Sequence, residues 1–314
     1  MRLLICCLVS LAFAAPAHAQ APGRILRPNA VLHFVADLER SVAFYRDAVG
    51  LAVDLSARFP VGASNRATTL SIPGSDVRLT LVQSSGVPTS PTWQRLQDPG
   101  SVKLVVRVRN IDAAFERVRA RVARVYTDGG APMKPEGPAA VNTSVIMRDP
   151  DGYPLELVLQ DVPAISPAVP STSNVVGGWA TFIVGDAAAS VEFYRTRLGF
   201  EALSAPRPLS AAVLALQGTP GATGSLSAGV RPPGGVNTWR MYEFQNIDRT
   251  RLEGRLQDAG TPAVSFWVDN VVALVERLEA AGVAVVSRPA SIDGTAMAFV
   301  RDLNGLLLEL VEAK

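Results

Sequence analysis

The sequence predicts an α+β fold in two tandem domains. Two motifs that each occur twice carry that prediction, together with an order of strand, helix and further strands that runs four times along the chain. Ser41-Val42-Ala43-Phe44-Tyr45-Arg46 with Gly50 returns 149 residues later as Ser190-Val191-Glu192-Phe193-Tyr194-Arg195 with Gly199. Arg148-Asp149-Pro150-Asp151-Gly152-Tyr153 with Leu155-Glu156-Leu157-Val158 returns 153 residues later as Arg301-Asp302-Leu303-Asn304-Gly305-Leu306 with Leu308-Glu309-Leu310-Val311. Self-similarity at so long a period means one unit used more than once. A length of 314 residues suits two ordinary domains.

Taken in order, the chain starts with Met1-Arg2, an apolar run from Leu3 to Ala15, and Ala17-His18-Ala19 before Gln20. A positive end, a short apolar stretch and a small-x-small site are the layout of a Sec-type signal peptide. Residues 1–19 are therefore expected to be removed, leaving a protein of the bacterial periplasm or the medium. The apolar run falls short of the ~20 residues that span a bilayer, so no membrane attachment is expected after cleavage.

The first domain covers residues 28–160. Ala30 to Val35 reads as a strand, and Asp37 caps a helix with Leu38, Val42, Tyr45 and Val49 on one face, closed by Gly50. Arg78 to Val82 is rich in strand formers. Val102 to Val108 is again a strand, Asp112 caps a helix bearing Phe115, Val118 and Val122, and Ser144 to Met147 follows as strand. Residues 161–175, with Pro163, Pro167, Pro170 and three serines, read as a linker. The second domain, 176–313, repeats the order with Trp179 to Val184 before Asp186 and Val264 to Val268 before Asp269.

Composition excludes several functions. Lys and Arg number 30 against 28 Asp and Glu, a net charge of +2 that offers no concentrated basic surface for nucleic acid. Cys6, Cys7 and His18 all lie in the leader, so the processed chain has no cysteine and one histidine, His33. Disulfides, thiolate catalysis, cysteine-held zinc and any site of two histidines from one chain are ruled out.

The strand followed by Asp37-Leu38-Glu39-Arg40-Ser41-Val42-Ala43-Phe44-Tyr45-Arg46, and the closing Asp-Pro-Asp-Gly-Tyr with Leu-Glu-Leu, resemble the vicinal oxygen chelate superfamily. Glyoxalase I, bleomycin-resistance proteins, fosfomycin-resistance enzymes and extradiol dioxygenases belong to it. The resemblance implies that each domain consists of paired βαβββ modules forming an open cup-shaped sheet around a divalent metal. It also implies four ligand positions per domain, usually histidine and glutamate. They fall on Ala30, Lys103, Glu156 and near Thr80 in the first domain, and on Trp179, Ala263, Glu309 and near Ser227 in the second. Each domain keeps one ligand of four, so no metal or other cofactor is expected. The alternative is a weakly bound divalent metal at Glu156 or Glu309 in an enzyme of lyase, isomerase or dioxygenase type, with those glutamates as the candidate catalytic residues. Strand alternation turns His33 away from Ala30, Leu32 and Phe34, which predicts a hydrogen-bonded core histidine.

With consecutive modules sharing a cup, the first would be lined by Ala30, Leu32, Phe34, Lys103, Val105, Arg107 and Glu156, with Arg78 and Thr80 nearby. Two readings stand for it: Lys103 and Arg107 bind an anion with Glu156 orienting Lys103, or Lys103 and Glu156 form a structural ion pair. The second cup would hold Trp179, Thr181, Ile183, Ser265, Trp267, Leu307 and Glu309. It is either an aromatic pocket for a flat or cationic molecule or a dead site filled by side chains. The Thr127 to Pro138 loop, longer than its counterpart, is either a flap over the first cup or an ordinary loop. The expected function is an exported, metal-free protein binding a small organic ligand, as a monomer or homodimer. A purely structural role with both cups filled is the remaining alternative.

Overall fold

The computed structural model describes residues 22–57, 65–84, 95–135, 142–161, 164–219 and 221–314. The leader, part of the Thr127 to Pro138 loop, and Val162 and Pro163 of the linker lie outside the described residues. Four modules follow one another. The first is β1 (Ile25–Phe34), α1 (Leu38–Ala43), β2 (Ala52–Val53), β3 (Asn65–Ser71) and β4 (Arg78–Ser84). The second is β5 (Val102–Val108), α2 (Ile111–Val118), β6 (Arg124–Val125), β7 (Thr143–Arg148) and β8 (Pro154–Leu159). The third holds β9 (Val175–Ile183), α3 (Ala187–Leu198), β10 (Glu201–Pro208), an inserted α4 (Ala211–Leu216), β11 (Gly224–Arg231) and β12 (Trp239–Gln245). The fourth holds β13 (Pro262–Val268), α5 (Val271–Ala280), β14 (Ala284–Ile292), β15 (Thr295–Arg301) and β16 (Leu307–Glu312).

The capping residues follow side-chain chemistry. Asp37 accepts from the Arg40 amide at 2.9 Å, and Asp186 from Ala189 at 2.8 Å. In the second and fourth modules the caps are Asn110 and Asn270, not Asp112 and Asp269. Asp112 sits inside the first turn of α2, and Asp269 instead accepts the backbone amide of Arg24. An Asn beside an Asp offers two equally good caps, so the choice falls to backbone geometry. Helix α1 widens into a π-turn over Phe44–Val49 and ends at Gly50, whose φ of 98° only glycine adopts without strain.

The modules pair in an order that sequence adjacency does not suggest. One eight-stranded sheet runs β14-β15-β16-β13-β1-β4-β3-β2, and the other β10-β11-β12-β9-β5-β8-β7-β6. The first module therefore shares its sheet with the fourth, and the second with the third. The joints are antiparallel pairs of first strands, with Ala30 opposite Ser265 and Lys103 opposite Thr181. The cup linings expected from consecutive modules are thus each divided between two sheets. Any two modules satisfy an antiparallel joint of their first strands equally well, so the pairing lies beyond local pattern.

The main core lies on the helix-facing sides of both sheets and draws on all four modules, among them Val31, Leu79, Leu104, Leu155, Phe182, Met241, Phe266 and Leu308. Two buried carboxylates stitch it together. Tyr45 of the first module donates its hydroxyl to Asp149 Oδ2 of the second at 2.9 Å, and Asp149 Oδ1 accepts the amides of Asp151 and Tyr153. The third and fourth modules repeat this with Tyr194 and Asp302, also at 2.9 Å. The two recurring motifs are the two ends of one contact. Asp151 accepts from the Ala36 amide, Ser41 Oγ and Arg40; at its counterpart, Asn304 bonds Gly185 and Ser190, and Ala189 stands where Arg40 was. The second copy has neither the carboxylate nor its cation.

Removing one donor from such a carboxylate costs more than an ordinary hydrogen bond. Tyr45→Phe and Tyr194→Phe are each expected to lower stability by about 2 kcal/mol, read as a shift of the urea midpoint at unchanged slope.

Candidate functional site

The cup of the first and fourth modules is lined along β1 by Ala30, Leu32 and Phe34, along β4 by Arg78, Thr80 and Val82, along β13 by Ala263, Ser265 and Trp267, and along β16 by Leu307 and Glu309. Ala30, Leu32, Phe34, Val82, Ala263 and Leu307 form a small apolar cluster of their own, with Leu256 and Phe299 packed against it. Glu309 is fully buried in this surface, and neither carboxylate oxygen has a hydrogen-bond partner among the described residues. Burial pushes its carboxyl up to about 8; the Ser265 hydroxyl beside it offsets part of that rise without reaching hydrogen-bond geometry. Ser265 Oγ also accepts from Asn29 Nδ2 at 2.9 Å. The indole Nε1 of Trp267 is likewise buried without a partner. Thr80 bonds Thr69 through their hydroxyls at 2.9 Å.

The cup of the second and third modules is built the opposite way. Lys103 Nζ lies 2.6 Å from Glu156 Oε2, donates to Gln217 Oε1 at 3.0 Å, and sits 5.5 Å from the Tyr242 ring centroid. Burial, followed by the nearby Glu156, raises the Tyr242 hydroxyl to about 12. Gln217 comes from the end of α4, a segment held over this cup by Thr127, which donates to the Leu216 carbonyl. Of the predicted ligand residues, Lys103, Arg107, Glu156, Trp179 and Thr181 all meet here, but Arg107 is spent on the Gln160 carbonyl at 2.8 and 3.1 Å. An anion site on Lys103 and Arg107 is therefore not what the geometry provides; both cations are committed to the protein. Ser265, Trp267 and Glu309 belong to the other cup, in a different sheet from Trp179 and Thr181, so among the described residues the two tryptophans do not flank one pocket.

Strand register also relocates one ligand position. Thr80 faces Leu32, and the residue in the same relation to Thr181 is Arg240 on β12, not Ser227 on β11. Gln217 and Tyr242 went unrecognised in the sequence because neither falls on a ligand position. The segment inserted between β10 and β11, which carries α4, is the sequence feature that could point to a cover for this cup.

His33 behaves as its alternation predicts. It is buried on the helix-facing side, its Nε2 lies 2.7 Å from Asp149 Oδ2, and its ring packs on Tyr153. The carboxylate can only accept, so Nε2 carries the hydrogen. His33, Asp149 and Asp151 bring three ligand-type atoms within 4.8 Å of one another. All four carboxylate oxygens there already accept from protein donors, including Arg40 at 2.5 Å. The cluster is a core hydrogen-bond network.

A profile of the Glyoxalase/Bleomycin resistance protein/Dioxygenase superfamily matches residues 27–157 and again 178–310. The chain belongs to this superfamily. Among solved structures, glyoxalase I from Zea mays shares the superfamily fold at 18% identity over 92% of both chains, with a TM-score of 0.61. A Bacillus subtilis protein proposed to be a dioxygenase aligns at 13% identity over 92% of this chain and 86% of its own, with a TM-score of 0.56. Comparison with curated protein sequences finds no match.

The superfamily's divalent metal does not fit the residues present. The first cup offers Ala30, Thr80, Ala263 and Glu309 at the four positions, a single charged donor in an apolar wall. The second offers Trp179, Arg240, Lys103 and Glu156, and its one carboxylate is engaged by an ammonium group 2.6 Å away. Imidazole and carboxylate sets that hold transition metals need several such donors with open positions between them. Glu156 as a metal ligand would first have to part from Lys103.

Proposed function

We propose that this protein is an exported, ligand-binding member of the superfamily that takes a small organic molecule in the cup of the first and fourth modules without a divalent metal. Export rests on the leader at residues 1–19. The observation that carries the ligand is Glu309, a buried carboxyl with both oxygens unpartnered. Buried polar groups are nearly always hydrogen-bonded, and a bound molecule with a donor and an acceptor would supply what the protein withholds. The unpartnered Trp267 indole in the same cup points the same way. The apolar residues around them supply burial for the ligand body.

A carboxyl poised near 8 also supports a second reading, a metal-independent isomerase or lyase with Glu309 moving a proton. The residue and the cup are the same, and only turnover separates the two. Elemental analysis of the processed protein tests the metal-free part. Substoichiometric transition metal is expected. Stoichiometric Mn, Fe, Ni or Zn that disappears in Glu309→Gln would overturn it.

A further inference from the structure

At the end of this cup nearest Trp267, the sheet opens into a cleft of about 320 Å³ between Arg27 and Asn29 of β1, Ser71 of β3, Arg78 of β4, and the turn at Gly234. Glu309 does not line the cleft. Asn29 and Arg27 connect the two places, Asn29 through its bond to Ser265 and Arg27 through its guanidinium, which stacks 5.2 Å from the Trp267 ring centroid. We infer that this cleft is an anion subsite, in which Arg27 and Arg78 hold the carboxylate or similar oxyanion of a ligand whose apolar body lies along the cup toward Phe34 and Leu307. The inference rests on the first cup being the binding site, and adds the charge and polarity of what it binds.

The Arg27 side chain is exposed at the mouth of the cleft and makes no ion pair or side-chain hydrogen bond among the described residues. It stands near a second arginine, and desolvation followed by Arg78 lowers its pKa. Arg78 is partly neutralised by Asp54 at 3.3 Å while Arg27 has no counter-ion, so an oxyanion seated at Arg27 and reaching Arg78 would gain charge-assisted hydrogen bonds. Two carboxylates also line the cleft, but both are occupied. Asp54 accepts from the Ser56 amide and hydroxyl, the Ala57 amide, and Arg78 at 3.3 Å. Asp76 accepts from the Val236 amide and from Asn237 Nδ2. The Arg27 fork is the group left for a ligand, and its stacking on Trp267 fixes the plane it presents. A ligand entering at the cleft would meet Arg27 and Arg78 first and then Asn29; Ser265, the Glu309 carboxyl and the apolar wall lie buried beyond them, so the ligand body reaches them only as the cup surface opens. That sequence describes a small acid with an apolar body and one further polar group.

A matched pair of probes tests this: 3-phenylpropanoate and its primary amide, which differ in charge and little in shape. Calorimetric titration of the processed protein is expected to give at least tenfold tighter binding of the carboxylate, about 1.4 kcal/mol. Arg27→Met and, independently, Arg78→Gln are expected to bring the two probes to within about threefold of each other, chiefly by weakening the carboxylate. Equal binding of both probes by the wild type, displaced in Glu309→Gln, would overturn the anion subsite and leave the cup reading intact. An anion preference that survives both arginine variants would also overturn it. Binding of neither probe would overturn the cup reading and the subsite with it.

Discussion

Replacing Glu309 with Met is expected to make the protein more stable, and the gain to be about 3 kcal/mol larger at pH 8 than at pH 5. The carboxyl is fully buried and rises from 4.5 to about 8 in the folded state, chiefly through desolvation. A carboxyl whose folded value is raised keeps its proton in the native state while the unfolded chain has lost it. Between 4.5 and about 8 the native state therefore binds more protons, and stability falls as pH rises through that window. Above the folded value the loss levels off, and below 4.5 it vanishes. Each unit of the window amounts to about 1.4 kcal/mol. Met is close to Glu in length, carries no titrating group and needs no partner, so the variant escapes this loss. It also avoids the cost of burying an unpartnered polar group, about 1–3 kcal/mol at any pH. Denaturant unfolding of both proteins at the two pH values measures the difference directly. A gain that does not change with pH would mean that Glu309 is solvated or paired in solution, and the ligand reading would lose its chief support. A carboxyl that destabilises its host is what a binding site retains when function sets the residue.

How much of this the sequence discloses depends on the range of the interactions. The helix starts at Asp37 and Asp186, the glycine stop at Gly50 and the inward turn of His33 are local, and period and side-chain chemistry settle them. The Asn caps at Asn110 and Asn270 were missed by one or two residues, because neighbouring Asn and Asp compete on equal terms. The pairing of first strands is not local. β1 could lie against β5 or β13 with the same hydrogen bonds, and nothing in Ala30 to Phe34 states which. The contents of each cup followed that choice, which is why Trp179 and Trp267, or Lys103 and Ala30, proved to be in different sheets. Pairs within one module survived: Lys103 and Glu156 are on β5 and β8 of the second module and meet as their positions require. Arg27 and Asn29 precede the predicted strand, on a stretch of β1 that pairs only with β13, so the local pattern does not mark them.

Replacing Lys103 with Met is expected to cost about 3–5 kcal/mol. Lys103 is buried, its ammonium lies 2.6 Å from Glu156, and Gln217 takes a second of its hydrogens. Removing the cation strands a largely buried carboxylate and the Gln217 oxygen at once. The attraction within the pair is not what this cost measures. Two charges drawn out of water lose about as much solvation as their contact returns, so the double variant Lys103→Met with Glu156→Met is expected to lie near the wild type or above it. The coupling between the sites, from a double-mutant cycle by urea unfolding, should then be several kcal/mol. A double variant as unstable as the single one would show that the pair, with Gln217 and the Tyr242 ring, holds the α4 segment in place by its geometry. The cycle also separates the two cups. Lys103 stands where the superfamily places a metal ligand, yet it is engaged by Gln217 at the end of α4 and belongs to a different sheet from Arg27. Its replacement is therefore expected to leave the binding of 3-phenylpropanoate unchanged. A loss of that binding in Lys103→Met, at a temperature where the variant is folded, would return the anion to the second cup.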